Sequence, residues 1–334
     1  MRVAPPVFSV ILPTYNRARM ARTALKTVQM QTLPDWECLV VDDGSTDDTG
    51  RVLLEFKDDA RIRVLRSGEN AGMNASRNKA IAQASGEFVS FIDSDDLWLP
   101  RRLERFRARM AENPEAGFLF SNAYVWRFGR ITSTLFDPRR TIPEGRVPGW
   151  YAVGDERLPY VTTNVAVRGE AFRKWGLFRT EMRTLDTELF ARFLAQGLPV
   201  AAIREPLSVR RAHPGQLTGR HVENFKEALL AMKSGGAPDE ELESARRKLC
   251  RRAAVYLLKA ARPKEARDAL LRELGGEAKS VPEFSLTFIP AWALRSAKSL
   301  RRAWIVLTRN PAWAPPDVRE AYKAIAPLIA EESA

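Results

Sequence analysis

Short runs of consecutive apolar residues alternate with stretches of helical spacing through the first third of the chain. Val7–Leu12, Glu37–Val41, Ile62–Leu65 and Glu87–Ile92 read as strands, with Arg19–Thr27, Asp48–Phe56 and Asn74–Gln83 as the helices between them. The Gly and Asp residues after Val41 break the second strand, and Ser45 or Thr46 is placed to cap the helix that follows. Strands alternating with helices predict a parallel sheet joined by right-handed crossovers. Ligands of such sheets bind at the carboxyl ends of the strands. Polar clusters beginning at Thr14, Asp43 and Asp93 all fall at those ends.

Further on, Pro100–Met110 reads as a basic helix and Gly117–Trp126 as an apolar strand. Phe136–Pro159, rich in Pro, Gly and Arg, reads as a long loop over the sheet. Thr162–Val167 and Pro199–Ile203 are short strand candidates, with a helix at Asp186–Gln196 between them. Beyond about Arg220 the spacing becomes helical throughout, over Phe225–Met232, Asp239–Lys259 and Pro263–Leu274, so the expected division is 1–220 and 221–334.

Composition narrows the class. The 334 residues are 45% hydrophobic and 28% charged, which suits a globular chain with a substantial core and excludes wholesale disorder. No apolar run reaches the ~20 residues of a membrane-spanning helix, and Met1–Pro13 lacks the cleavage site of a secretory leader. Cys38 and Cys250 lie too far apart in sequence to suggest a disulfide framework or a zinc site. The net charge of +12 points to an anionic partner, whether nucleic acid, anionic lipid or a phosphorylated substrate.

The sharpest chemical signal is Asp93-Ser94-Asp95-Asp96 after a buried strand. Carboxylates so close repel one another, and a hard divalent cation relieves that repulsion while leaving coordination positions open for a diphosphate. The plainer alternative is a solvated turn capping a helix near Leu97. Asp42-Asp43-Gly44-Ser45 offers an acceptor for a base imide or a ribose hydroxyl, or merely a turn. Pro13-Thr14-Tyr15-Asn16-Arg17 offers a ring to stack on a base and a cation for phosphate.

Together these blocks resemble the family 2 glycosyltransferases, as do Asn70-Ala71-Gly72, Ser76-Arg77-Asn78 and Ser85-Gly86-Glu87 between them. The resemblance covers roughly residues 7–215 and implies an α/β fold of the GT-A type: a Rossmann-like nucleotide-diphospho-sugar transferase domain with a mostly parallel sheet, followed here by a helical C-terminal region. It implies inverting transfer from a nucleotide-sugar, most commonly a UDP-sugar, with Mn²⁺ or Mg²⁺ as cofactor. By the resemblance, Pro13, Thr14, Tyr15, Arg17, Asp43, Arg77, Asp93, Ser94 and Asp95 line the donor site. Asp95, Asp96 and His213 are the metal-ligand candidates. Asp186 in Arg183-Thr184-Leu185-Asp186-Thr187-Glu188 takes the position of the catalytic base, although Leu185 replaces the acid usual before it. A structural alternative is that Asp186 only caps its helix. Thr163, Asn164 and Trp175 fall on the acceptor side, and Arg210-Arg211 with His213 in the segment that closes over the diphosphate.

The C-terminal third is basic, with 20 Lys and Arg against 14 Asp and Glu over residues 225–334. Phe284–Pro316 holds five basic residues, no acidic one, and Trp292, Trp304 and Trp313. That pattern suits the face of an anionic bilayer, or a helical layer whose tryptophans pack inward. The expectations are therefore a glycan or lipid-linked acceptor, peripheral contact with an anionic membrane, and a cytoplasmic location at the inner face of the plasma membrane. A nucleotidylyltransferase is disfavoured because the first strand lacks a Gly-rich basic phosphate loop, and a nucleic-acid binder because the basic residues form no recognisable module.

Overall fold

The computed structural model describes residues 6–127, 129–153, 157–182, 186–212, 221–296 and 316–333. Nine strands form one sheet: β1 Phe8–Thr14, β2 Trp36–Asp42, β3 Ile62–Arg66, β4 Phe88–Phe91, β5 Leu97–Trp98, β6 Phe118–Arg127, β7 Arg130–Thr134, β8 Val165–Arg168 and β9 Val200–Arg211. The order is β3-β2-β1-β4-β8-β6-β9-β5, with β7 paired to β6. β1 to β4 run parallel, β8 is antiparallel to both β4 and β6, and β6 and β9 are parallel to each other. The carboxyl ends of β1, β2, β4, β6 and β9 therefore share one edge of the sheet.

Strand periodicity divides the core in two. In β1, Phe8, Val10 and Leu12 face one side and Ile11 the other; in β2, Cys38 and Val40 part from Leu39 and Val41 in the same way. The first side packs against α1 (Ala18–Gln29), through Ala24, Leu25 and Val28, and against α4 (Arg102–Glu112), through Leu103 and Phe106. The other packs against α3 (Met73–Ile81), α5 (Gly169–Trp175) and α6 (Thr187–Ala195). With helices on both faces, the central strands need no polar side, which is why they read as unbroken apolar runs.

Several boundaries differ from the sequence reading. Neither Ser45 nor Thr46 caps α2 (Thr49–Leu53), whose N-cap position is Asp48; Ser45 Oγ instead accepts from the Asn16 N–H at 2.9 Å. Leu97 begins no helix: it pairs with Val209 as strand β5. Thr162–Asn164 is a 3-10 turn, and only Val165–Arg168 is strand. β9 runs on past Ile203 to Arg211, because shifts in its register with β6 accommodate Pro206. β7 lies at the sheet margin with Ile131 as its one apolar residue, so no apolar pattern marks it as a strand.

The helical C-terminal region packs onto this core. Ala231 of α7 (His221–Ser234) is buried in the same cluster as Phe190 of α6, and the Trp150 N–H donates to the Gly235 carbonyl at 3.1 Å. α8 (Asp239–Lys259) and α9 (Pro263–Leu274) enclose their own core with Cys250, Leu257 and Leu270. The C-terminal helix, Pro316–Ser333, covers the sheet edge with Val318, Ala321 and Ile325 against Leu97, Tyr124 and Val209. No helix among the described residues is long and apolar enough to cross a membrane.

Candidate active site

The loops that leave β1 and β2 are stapled together. Asn16, at a positive φ of 49°, accepts from the Thr46 N–H at 2.8 Å, and the Arg17 N–H donates to Thr49 Oγ1 at 3.1 Å. Pro13 and Thr14 are buried at the end of β1, Thr14 Oγ1 has no hydrogen-bond partner, and Tyr15 beside them is exposed. The Asp43 carboxylate accepts from the Ala71 and Gly72 N–H groups, at 3.1 and 2.9 Å. It thus shapes the Asn70-Ala71-Gly72 loop, and its oxygens keep lone pairs for a ligand. Gly44 allows this close approach, since at φ +76° a Cβ would lie 2.6 Å from the Glu69 carbonyl carbon.

The acidic turn follows β4 and closes with the Asp96 N–H donating to the Asp93 carbonyl at 2.9 Å. Asp93, Asp95 and Asp96 bring one carboxylate oxygen each within 4.8 Å of one another. With β5 in place of a helix at Leu97, the capping alternative fails. Burial pushes Asp93 above the usual carboxylate range, with Asp95 and Asp186 acting in the same direction and Arg77 against them. Burial pushes Asp96 well above it, reinforced by Asp95 and Asp93 and opposed by the Arg211 N–H. Three hard carboxylate oxygens gathered in one turn fit a divalent cation of the Mg²⁺ or Mn²⁺ kind. Ser94 is buried in the same turn.

Two arginines expected on the donor side, Arg17 and Arg77, are engaged with these carboxylates. Arg17 Nη1 pairs with Asp95 Oδ2. Arg77, only 2% exposed, donates from Nη2 to Asp93 Oδ1 at 2.9 Å and faces Asp186 Oδ2 with Nη1 at 3.4 Å. Its guanidinium also lies over the Phe178 ring, 5.4 Å from the centroid. Asn74, Arg77 and Asn78 lie on one face of α3 at helical spacing. Asn74 Nδ2 donates to the carbonyls of Arg179 and Met182, at 3.1 and 2.8 Å, and Asn78 exchanges hydrogen bonds with the Phe178 backbone. One helix face therefore holds both the acidic turn and the segment leading to Asp186. The roles of Asn74 and Asn78 were missed; their spacing with Arg77 was the available signal.

Asp186 stands at the N-cap position of α6 without a side-chain capping bond. Its carboxylate turns to Arg77 instead, so capping does not account for it. Burial raises its pKa, Arg77 lowers it, and Glu227 of α7 raises it. Glu188 next along is buried between Arg179 and Arg192, at 3.4 and 3.2 Å.

The acceptor-side expectations require correction. Thr163 and Asn164 are fully buried: the Thr163 carbonyl accepts from Trp98 Nε1 at 3.0 Å, while Asn164 donates to the Ser121 carbonyl and accepts from the Val161 N–H. Their turn carries the chain into β8 and leaves them no surface to offer an acceptor. The Trp175 ring packs on Phe193 of α6, with centroids 5.7 Å apart. His213 lies outside the described residues. Arg211 belongs to β9 rather than to a closing loop, and its N–H donates to Asp96 Oδ1 at 2.9 Å.

Known proteins share this pattern. The glycosyl transferase family 2 model matches residues 9–174. The chain is 35% identical over 132 residues to UDP-Glc:alpha-D-GlcNAc-diphosphoundecaprenol beta-1,3-glucosyltransferase WfgD of Escherichia coli, a match covering 40% of this chain and 51% of that protein. It is 37% identical over 129 residues to the GalNAc(5)-diNAcBac-PP-undecaprenol beta-1,3-glucosyltransferase of Campylobacter jejuni, covering 38% and 41%. The chain thus spans about half the length of these curated relatives, or less. Crystallised TarS 1-349 of S. aureus, in complex with UDP, superposes with a TM-score of 0.58 at 18% identity over 89% of this chain and 91% of that one. The mannosyltransferase PcManGT of Pyrobaculum calidifontis, in complex with GDP-Man and Mn²⁺, gives 0.54 at 22% identity, over 98% and 88%. These two likenesses are of fold, and the fold is the GT-A type expected from the sequence.

Proposed function

Residues 9–174 belong to glycosyl transferase family 2, and from that premise we propose that the chain transfers a sugar with inversion from a nucleotide-sugar to a hydroxyl acceptor. The observation that carries the reading is the bridging of the acidic turn to Asp186 by Arg77. An activated donor and a base need to be held in fixed relation, and a buried arginine shared by Asp93 and Asp186 supports that reading.

In this reading Tyr15 presents its exposed ring to the base, and the loop built around Asp43 receives the nucleoside. Asp93, Asp95 and Asp96 would hold Mn²⁺ or Mg²⁺, which when bound neutralises charge on the departing diphosphate. Asp186 accepts the proton of the acceptor hydroxyl. The acceptor oxygen forms its bond to the anomeric carbon as the bond from that carbon to the diphosphate breaks, with the electron pair leaving on the nucleoside diphosphate. His213, in the sequence between Arg211 and α7, is a further candidate for the metal or the phosphate.

UDP-sugar is the favoured donor, in view of the donor in the name of the E. coli relative, and a lipid-linked glycan the favoured acceptor, since both relatives are named for undecaprenol-linked acceptors. Work on such an acceptor would bring the chain to the inner face of the plasma membrane, where the acid-free, Trp-bearing stretch after Phe284 suits anionic headgroups. Residues 1–220 would form the catalytic unit and 221–334 an accessory layer. Titration calorimetry with UDP, with and without Mn²⁺, tests the reading alongside transfer assays over a panel of UDP-sugars and undecaprenyl-diphosphate acceptors. Metal-dependent UDP binding and transfer are expected; absence of metal-dependent binding of any nucleotide would overturn it.

A further inference from the structure

Arg211 joins the acidic turn to the far end of the chain. Its N–H donates to Asp96 Oδ1 at 2.9 Å and its Nε to the Asp95 carbonyl, while Nη1 meets Glu332 Oε2 at 2.5 Å. Arg211 is buried, and the Glu332 side chain, on the last turn of the C-terminal helix, is only 15% exposed. Sheltered charges of this kind are poorly screened, so the pairing decides where the guanidinium points.

We infer that Glu332 is a positioning residue for the cation-binding turn and acts through Arg211. The inference rests on reading that turn as a cation site. Without the Glu332 carboxylate, the Arg211 side chain still lies against the acidic turn, where its Nε meets the Asp95 carbonyl and its N–H meets Asp96 Oδ1. A guanidinium turned onto the carboxylate oxygens of that turn competes for the lone pairs a divalent cation needs, and Arg17 already pairs with Asp95. Glu332 draws the arginine charge away while leaving the Arg211 N–H on Asp96. Outer partners of this kind set the orientation of metal-binding carboxylates.

The helix is also held by contacts that do not pass through Arg211. Tyr322 Oη accepts from the Ile131 N–H at 2.6 Å, its ring lies 5.4 Å from that of Trp126, and Glu331 pairs with Lys26. Anchoring and positioning can therefore be tested apart.

The test uses full-length chains carrying E332Q, E331Q, R211Q or E332Q with R211Q, each checked for folding by circular dichroism, with Mn²⁺ affinity measured by calorimetry in the presence of UDP. E332Q is expected to weaken Mn²⁺ binding about tenfold, and E331Q to change it less than about twofold, as suits an exposed pair. In the R211Q background E332Q is expected to add nothing, because no guanidinium remains to be misplaced. Equal losses in E331Q and E332Q, no loss in E332Q, or an undiminished E332Q effect in the R211Q background would each overturn the inference. Should E332Q not fold, the comparison moves to E332D, which keeps the charge, and to R211Q, which has no guanidinium to misplace; both are expected to bind Mn²⁺ within about threefold of the unaltered chain, and a tenfold loss in either would overturn the inference. Failure of the unaltered chain to bind Mn²⁺ with UDP would remove the parent reading itself, an outcome distinct from all of these.

Discussion

The Arg77 guanidinium faces the Asp186 carboxylate at 3.4 Å across 109 positions of sequence. On its other side it holds Asp93 at 2.9 Å. A single buried cation therefore fixes the separation between the acidic turn and Asp186.

Asp186→Asn keeps the size of the side chain and its contact with Arg77 but cannot accept a proton. Transfer is expected to fall by about 10²- to 10⁴-fold, with the Kd for UDP in the presence of Mn²⁺ unchanged within twofold. Single-turnover transfer and calorimetry on the same preparation check this, and full turnover by the variant would exclude Asp186 as the base.

Asp95→Asn removes a charged oxygen from the turn. Because Asp93, Asp95 and Asp96 bring one carboxylate oxygen each within 4.8 Å of one another, metal-dependent UDP binding is expected to disappear, as it should in the unaltered chain on chelation with EDTA. Thermal shift by UDP with Mn²⁺ is the readout, since ligands that bind only the folded chain raise its melting temperature.

Arg77→Met leaves Asp93 and Asp186 without their shared cation. The expected cost is about 3 kcal/mol, near the low end for a broken buried pair because Asp93 retains contact with water. Urea denaturation measures it. Asp93→Asn in the same background should recover part of the loss, because it removes one stranded charge.

The pH profile follows from the same contact. Burial places the Asp186 pKa above the ordinary carboxylate value, and Arg77 pulls it back down. The base works deprotonated, so activity is lost as pH falls through that raised pKa, and the acid limb of kcat lies above the ~3.9 of a free Asp. Arg77→Gln removes the opposing cation and should move the limb to still higher pH. A limb unmoved by that substitution would mean that another group governs it.

Gly44→Ala forces a Cβ into the Glu69 backbone at a positive φ. The expected loss is about 1–3 kcal/mol of stability, together with weaker UDP binding because the Asp43 loop moves. Gly72, whose φ is also positive, has nothing within 4 Å of such a Cβ, so Gly72→Ala should cost about 1 kcal/mol. Urea midpoints of the two variants compare them directly.

The strands that end at Thr14, Asp42 and Phe91 were legible because each is buried on both faces and stops at a polar cluster. That pattern also located the acidic turn, whereas Asp186, at the start of a helix, was marked only by the resemblance to family 2 glycosyltransferases. The partners of the charges were not legible. Arg17 and Arg77 carry the charge a phosphate would need, but which anion they meet depends on tertiary distances that a local pattern does not encode. Thr163 and Asn164 are polar residues that look suited to a surface, yet both are fully buried: the Asn164 side chain accepts from the Val161 N–H within the turn before β8, while Thr163 Oγ1 has no hydrogen-bond partner. β9 was cut short in the reading because Arg204, Glu205 and Pro206 look like a loop, whereas a register shift carries the strand through them. Arg102 was read only as part of a basic helix. It is fully buried between the rings of Trp98 and Phe106, 4.3 and 4.2 Å from their centroids, with Ser90 and Ser121 oxygens as partners.

β8 pairs with β4 on one side and β6 on the other, and so lies between strands made long before it. The sheet cannot grow outward in the order of synthesis: β4 and β6 must wait, with a gap between them, until residues 165–168 arrive. The half built on β1, β2 and β3, whose pairings join near neighbours, can close first and quickly, while the half bearing Asp186 assembles late through contacts of long sequence separation. Refolding should therefore regain affinity for UDP before it regains turnover.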